Sequence, residues 1–210
     1  MLGTKLVEKK STPQEEFWAG DFGKGYISRN RDPELLASNL HLFSEVFSLT
    51  DSAPGSILEL GANIGMNLKA IKQLSPTSEC TAIEINPTAC EILKAQGFEV
   101  IESSILGAEL ERNFDFVFSK GVLIHLNPEQ LVETYRRMFE WSTRFILIAE
   151  YYNPTPVSIP YRGNIDKLFK RDFAGEFLDL YPDVKLRKCG FAYHRGAFPL
   201  DDITWFLLEK

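Results

Sequence analysis

The chain has 210 residues, 44% of them apolar and 25% charged, with 16 Phe, 7 Tyr and 3 Trp, a composition too aromatic for a disordered polypeptide. Its net charge of -6 argues against nucleic acid as a partner, and no apolar run approaches the roughly 20 residues that span a bilayer. Three cysteines (Cys80, Cys90, Cys189) without metal spacing, and a start, MLGTKLVEKKSTPQEE, without an apolar signal-peptide core, give the expectation of a reducing, cytoplasmic setting.

Thr12-Pro13-Gln14-Glu15-Glu16 predicts a helix start with proline at the first helical position, and Gly20, Gly23 and Gly25 predict its end. Asp32-Pro33 opens a second helix with Leu35, Leu36, Leu40, Phe43, Val46 and Phe47 on one face. Residues 56–60 read as a short buried strand, followed by a helix from about Ile64 with Leu68, Ile71 and Leu74. Further strands are predicted over 80–85, 98–101, 114–118 and 145–149. Asn86-Pro87 and Asn127-Pro128 start the helices between them, the latter carrying Leu131, Tyr135, Met138 and Phe139. A loop through Pro154, Pro156 and Pro160, a helix over 167–180, and strands near 191–194 and 204–208 complete the chain.

Five apolar strands separated by helices predict an α/β fold, a doubly wound Rossmann-like sheet, mostly parallel with an antiparallel last strand. Residues 1–50 would form an N-terminal helical lid on a single domain over 51–210. Charge is uneven: residues 1–160 carry a net -7 and residues 161–195 a net +3. That basic segment is either a solvated face or the receiver of an anionic substrate.

Chemistry concentrates in Ile57-Leu58-Glu59-Leu60-Gly61-Ala62-Asn63-Ile64-Gly65, between a strand and a helix. Gly61 lets the backbone turn sharply and pass close to a ligand, Gly65 allows close packing of the helix start, and the helix N-terminus offers free N–H groups. Glu84 ends the next strand, 19 residues after Gly65, where an acid can hold both hydroxyls of a ribose. The two features together predict an adenosine cofactor. A dinucleotide needs a glycine at position 63, because its pyrophosphate presses on the backbone; Asn63 stands there instead. Glu59 would repel a pyrophosphate and suit an ammonium or sulfonium, so S-adenosylmethionine is favoured over a nicotinamide cofactor.

ELGANIG, AIEIN, FDFVFSKGVLIHLNPE and FILIAEYY, within roughly residues 55–150, resemble the successive motifs of class I S-adenosylmethionine-dependent methyltransferases. The resemblance implies that Glu59, Gly61, Ala62, Asn63 and Gly65 contact the methionine part, and Glu84 with Ile85 the ribose. It implies that Ser103, Ser104 and Ile105 flank the adenine, where many members carry an aspartate, and that Lys120, Gly121 and Leu123 lie beside the sulfonium. S-adenosylhomocysteine would be the product.

The flanks, Glu16-Phe17-Trp18-Ala19-Gly20-Asp21-Phe22-Gly23 and Glu150-Tyr151-Tyr152-Asn153-Pro154 among them, are similar to methylases associated with pseudaminic acid biosynthesis. This likeness implies a small sugar-type acceptor, a nonulosonic acid or nucleotide sugar, in a surface-polysaccharide pathway. Tyr26 and Arg29 follow the glycines, and an arginine there can pair with the cofactor carboxylate. His125 is the candidate general base and Tyr151 a second candidate at the strand end. Phe22, Asn30, Tyr152, Tyr161, Arg162 and Arg195 are candidates for the acceptor site. No metal motif is visible. Three rivals stay open: a methyltransferase for an unrelated acid or amine, a nicotinamide-dependent sugar dehydrogenase or epimerase, and a non-catalytic cofactor-binding partner.

Overall fold

The computed structural model describes residues 11–27 and 33–210. Its sheet has seven strands: β1 (Ser56–Leu60), β2 (Glu79–Glu84), β3 (Glu99–Glu102), β4 (Phe114–Lys120), β5 (Ser142–Glu150), β8 (Lys185–Ala192) and β9 (Ile203–Glu209). They lie in the order β3-β2-β1-β4-β5-β9-β8. The first five strands in this order pair in parallel, whereas β9 runs antiparallel to both β5 and β8. Strand order reverses between β1 and β4, so the carboxyl ends of these strands form the crevice where α/β sheets bind ligands. β1, β4 and β5 are almost wholly buried, as parallel strands covered on both faces must be.

Helices cover the two faces. α3 (Pro33–Phe47) lies on one, with Phe43 against Phe118 and Phe47 against Phe116 at ring distances of 5.2 and 5.5 Å. α4 (Met66–Leu74) packs beside it, burying Leu68 and Ile71. α6 (Leu131–Trp141) and α7 (Phe173–Leu180) cover the other face, where Tyr135, Met138 and Phe177 meet Val117, Ile146 and Leu208. α5 (Pro87–Ala95) starts at Asn86, whose side chain accepts from Thr88 and Ala89 N–H, the cap that Asn-Pro predicts.

The N-terminal segment differs from the sequence expectation. α1 (Pro13–Ala19) does end at Gly20, but Gly23 and Gly25 do not stop a helix: they lie inside α2 (Asp21–Ile27). Gly23 is there for space rather than for a turn. A Cβ on it would come within 1.9 Å of the Trp18 carbonyl oxygen and 2.7 Å of Asn86 Nδ2. The second departure is at 167–180. Only Phe173–Leu180 is helical, because Asp172 caps α7 by accepting from Gly175 N–H. Phe169–Lys170 is instead β7, paired with β6 (Val157–Ser158) in a short hairpin whose loop carries Tyr161 and Arg162. Arg162 (φ 49°) and Gly163 (φ 81°) turn that loop. No helix among the described residues is long and apolar enough to cross a membrane.

Candidate active site

A cleft opens at the carboxyl ends of β1, β2 and β4. Its floor begins at the turn after β1, where Gly61 (φ 70°), Asn63 (φ 48°) and Gly65 (φ 78°) are all left-handed. A side chain on Gly61 would strike Val122, and one on Gly65 would strike Leu93, each at 2.7 Å. The turn therefore needs glycine twice, once for its approach to the loop after β4 and once for packing against α5.

Glu84 lies on the cleft wall and is only 7% exposed. One carboxylate oxygen accepts Asn63 N–H and the other accepts Asn86 N–H, both at 2.7 Å. These bonds fix the carboxylate plane and leave lone pairs on both oxygens for a ribose diol. Burial pushes its pKa up, while the amides of Asn86, Asn63 and Ile85 draw it back. Ile85, Ser103, Ser104, Ile105 and Leu106 continue the wall beyond β2 and β3, an apolar slot with two hydroxyls suited to an adenine. Ser104 Oγ already accepts Gly107 N–H at 3.0 Å. Gly121, Val122 and His125 close the other side of the cleft.

Other residues named by the motifs stand behind this wall. Glu59 is 1% exposed on the α3–α4 face; one oxygen accepts from Asn67 at 2.6 Å and the other has no partner. Burial raises its pKa to about 8 despite Asn67 and Lys120 nearby. Lys120, at the end of β4, is half-buried, and its ammonium is pushed below the usual lysine range by burial, with Glu59, Asp201 and Glu150 opposing. Ala62, Gly65 and Leu123 do not line the cleft, and Leu123 is fully buried in the core. Arg29 and Asn30 lie outside the described residues.

His125 ends a single 3-10 turn over Leu123–His125. Its Nδ1 lies 2.6 Å from the Lys167 carbonyl oxygen, which only accepts, so Nδ1 carries the proton and Nε2 the lone pair. Burial lowers its pKa to about 4, so the imidazole is neutral at physiological pH. The turn itself hangs on Glu150, a residue that the motif reading passed over. Glu150 is 2% exposed and accepts from Ser119 Oγ at 2.6 Å and from the N–H groups of Val122, Leu123 and Ile124 at 3.1, 3.0 and 3.4 Å. The available signal was an acid directly after the apolar run Phe145–Ala149. Burial raises its pKa to about 7 against these four donors.

The N-terminal helices lie across the cleft. A capping box between Thr12 and Glu15 starts α1. Asn86 Nδ2 donates to the Trp18 carbonyl at 3.0 Å, and Lys167 Nζ donates to the Pro13 carbonyl at 2.9 Å. The Trp18 ring sits 4.6 Å from His125 and 5.3 Å from Tyr26, and both Trp18 and Tyr26 line the cleft. Phe22 packs on Phe17 and Tyr161, at 4.1 and 5.9 Å, and Tyr161 lies 5.0 Å from His125. Arg162 is exposed, with its guanidinium 5.7 Å from the Tyr161 ring. Tyr151 is not part of the cleft lining: its hydroxyl lies 3.4 Å from Asp201, and burial pushes its phenol pKa well up. Tyr152 is exposed beside Phe206, and Arg195 is exposed on the β8–β9 turn. Of the other basic residues in 161–195, Lys185, Arg187 and Lys188 lie on the exposed edge strand β8, with Arg187 paired to Glu209 at 3.0 Å.

Residues 57–143 match the family model described as a methyltransferase domain. No curated protein sequence matches the chain. Among solved structures, magnesium protoporphyrin IX methyltransferase from Synechocystis PCC 6803, with bound S-adenosylmethionine, aligns at TM-score 0.70 and 10% identity, over 96% of this chain and 99% of that one. The 1,6-didemethyltoxoflavin-N1-methyltransferase of Burkholderia thailandensis aligns at TM-score 0.70 and 12% identity, over 98% of this chain and 93% of that one. Coclaurine N-methyltransferase aligns at TM-score 0.60 and 17% identity over 74% of this chain, which spans 50% of that longer protein. The sheet is thus that of the class I methyltransferases. Residues 57–143 are a methyltransferase domain by sequence, and S-adenosylmethionine is the cofactor that this domain implies.

Proposed function

We propose that the enzyme methylates an oxygen or nitrogen of a small anionic, sugar-type acceptor placed beside His125, under a lid made by α1 and α2. The cofactor supplies a methyl group already activated by its sulfonium; the protein's task is to align the acceptor and handle its proton. Glu84 anchors the ribose, and Ile85 with Ser103–Ile105 receives the adenine. Gly121 brings backbone close to the sulfonium end. The neutral His125 accepts a hydrogen bond from the acceptor hydroxyl or amine, orients its lone pair, and takes up the proton as positive charge develops.

The cleft encloses about 120 Å³, below the roughly 300–1,000 Å³ of small-ligand sites. This volume supports a lid that lifts to admit ligands. The observation carrying the anionic acceptor is Arg162 over Tyr161, which itself packs on His125; the likeness of the flanks to pseudaminic-acid-associated methylases is the ground for a sugar. With a nonulosonic acid as acceptor, Arg162→Ala should lower kcat/KM at least tenfold, ~1.4 kcal/mol, and leave affinity for S-adenosylhomocysteine unchanged. Wild-type kinetics in that variant, or turnover with neutral acceptors alone, would overturn the anionic reading.

A further inference from the structure

Two polar atoms on α1 are buried in the wall of the cleft without a partner: Gln14 Oε1 and Trp18 Nε1. Buried polar groups in folded proteins are almost always hydrogen-bonded, so a pair of such atoms on a ligand cleft marks what the ligand brings. Gln14 is 8% exposed, and its orientation is fixed by chemistry. Its other terminal atom lies 3.1 Å from the Asp166 carbonyl oxygen, which accepts only from the NH₂. The oxygen is therefore the atom left to the cleft. Trp18 Nε1 can only donate. The two residues are four apart on one helix, so they share a face. The face is held from both ends: Lys167 grips the Pro13 carbonyl and Asn86 the Trp18 carbonyl.

The pair lies beside His125, where the proposed reading puts the acceptor. The Trp18 ring is 4.6 Å from His125, and Gln14 is tied to Asp166, next to the Lys167 whose carbonyl holds His125 Nδ1. The adenine wall after β2 and β3 belongs to other residues. One acceptor atom and one donor atom on the same helix face of a cleft match an amide-type edge, which offers one N–H and one C=O. We infer that Gln14 and Trp18 select an acceptor carrying an uncharged amide or lactam-like group, Gln14 Oε1 taking its N–H and Trp18 Nε1 donating to its carbonyl. The inference rests on the methyltransferase reading above and adds to it a neutral recognition element next to the methylated atom. The charge on Arg162, exposed beside Tyr161, is a separate contact.

The test uses the full-length enzyme loaded with S-adenosylhomocysteine and two neutral probes of one shape, 2-pyrrolidinone and N-methyl-2-pyrrolidinone. The second lacks the N–H. Ligand-observed NMR titration should give at least fivefold tighter binding of the lactam. Gln14→Leu and Trp18→Phe should each erase that preference and keep affinity for S-adenosylhomocysteine. Leucine replaces the buried glutamine with a side chain of similar size, and phenylalanine keeps a ring among Phe17, Phe22 and Tyr26, so two independent variants read the same pair. Equal binding of the two probes, no binding of either, or a preference that survives both substitutions would overturn the inference. A loss of S-adenosylhomocysteine affinity in both variants would overturn it as well, by giving the pair to the cofactor. An enzyme that does not take up S-adenosylhomocysteine at all would instead bring down the methyltransferase reading.

Discussion

Glu84→Ala should reduce affinity for S-adenosylhomocysteine by about 30- to 800-fold, or on the order of 2–4 kcal/mol, with the fold intact. Two charge-assisted hydrogen bonds to the ribose diol would vanish. The substitution also frees Asn63 and Asn86 N–H, which Glu84 holds at 2.7 Å, so the turn after β1 loses its tie to β2. Glu84→Gln keeps one oxygen acceptor and should fall between the two. Titration calorimetry measures all three, with circular dichroism as the check on folding. An alanine variant that binds as tightly as the wild type would show that Glu84 does not hold the ribose.

The second large effect belongs to His125. His125→Phe preserves a ring against Trp18 and Tyr161 and removes both nitrogens, so kcat should fall about 100-fold, the lower end of what acid–base groups contribute. The pH profile distinguishes this role from simple packing. Because burial holds the His125 pKa to about 4, the imidazole stays neutral from pH 5 to pH 8. In that window kcat/KM should show no histidine limb, and only below the window should protonation remove the lone pair and the activity. A limb near the ordinary histidine pKa of ~6.5, or a phenylalanine variant with wild-type kcat, would contradict the assignment.

Much of the sheet could be read from the chain because its signals are local. Ser56–Leu60, with Ile57, Leu58 and Leu60 as its apolar residues, is ended by Gly61, and it forms a strand with those bounds. Asn86-Pro87 caps and starts α5 as its chemistry dictates. Glu84, Ile85 and Ser103–Ile105 reach the cleft because each ends a strand at the same sheet edge. What escaped the sequence depends on distant partners. Gly23 looks like a helix stop, but it exists for the approach of Trp18 and Asn86 inside a helix. β6 and β7 have two residues each, too short for any periodicity to register. Glu59 reads as a ligand contact from its motif, yet its carboxylate faces Asn67 behind the cleft wall. Gln14 joins the site through Asp166, 152 residues away in sequence. Glu150 acts through the backbone of the turn bearing His125, a contact that no spacing rule announces.

The most direct measurement is mass spectrometry of a metabolite extract incubated with the full-length enzyme and methyl-labelled S-adenosylmethionine. The account predicts a labelled small molecule, anionic and bearing an amide-type group, together with S-adenosylhomocysteine, formed with the wild type and lost with Glu84→Ala. Tight binding of S-adenosylhomocysteine without any labelled product would contradict methyl transfer and leave a cofactor-binding protein in its place.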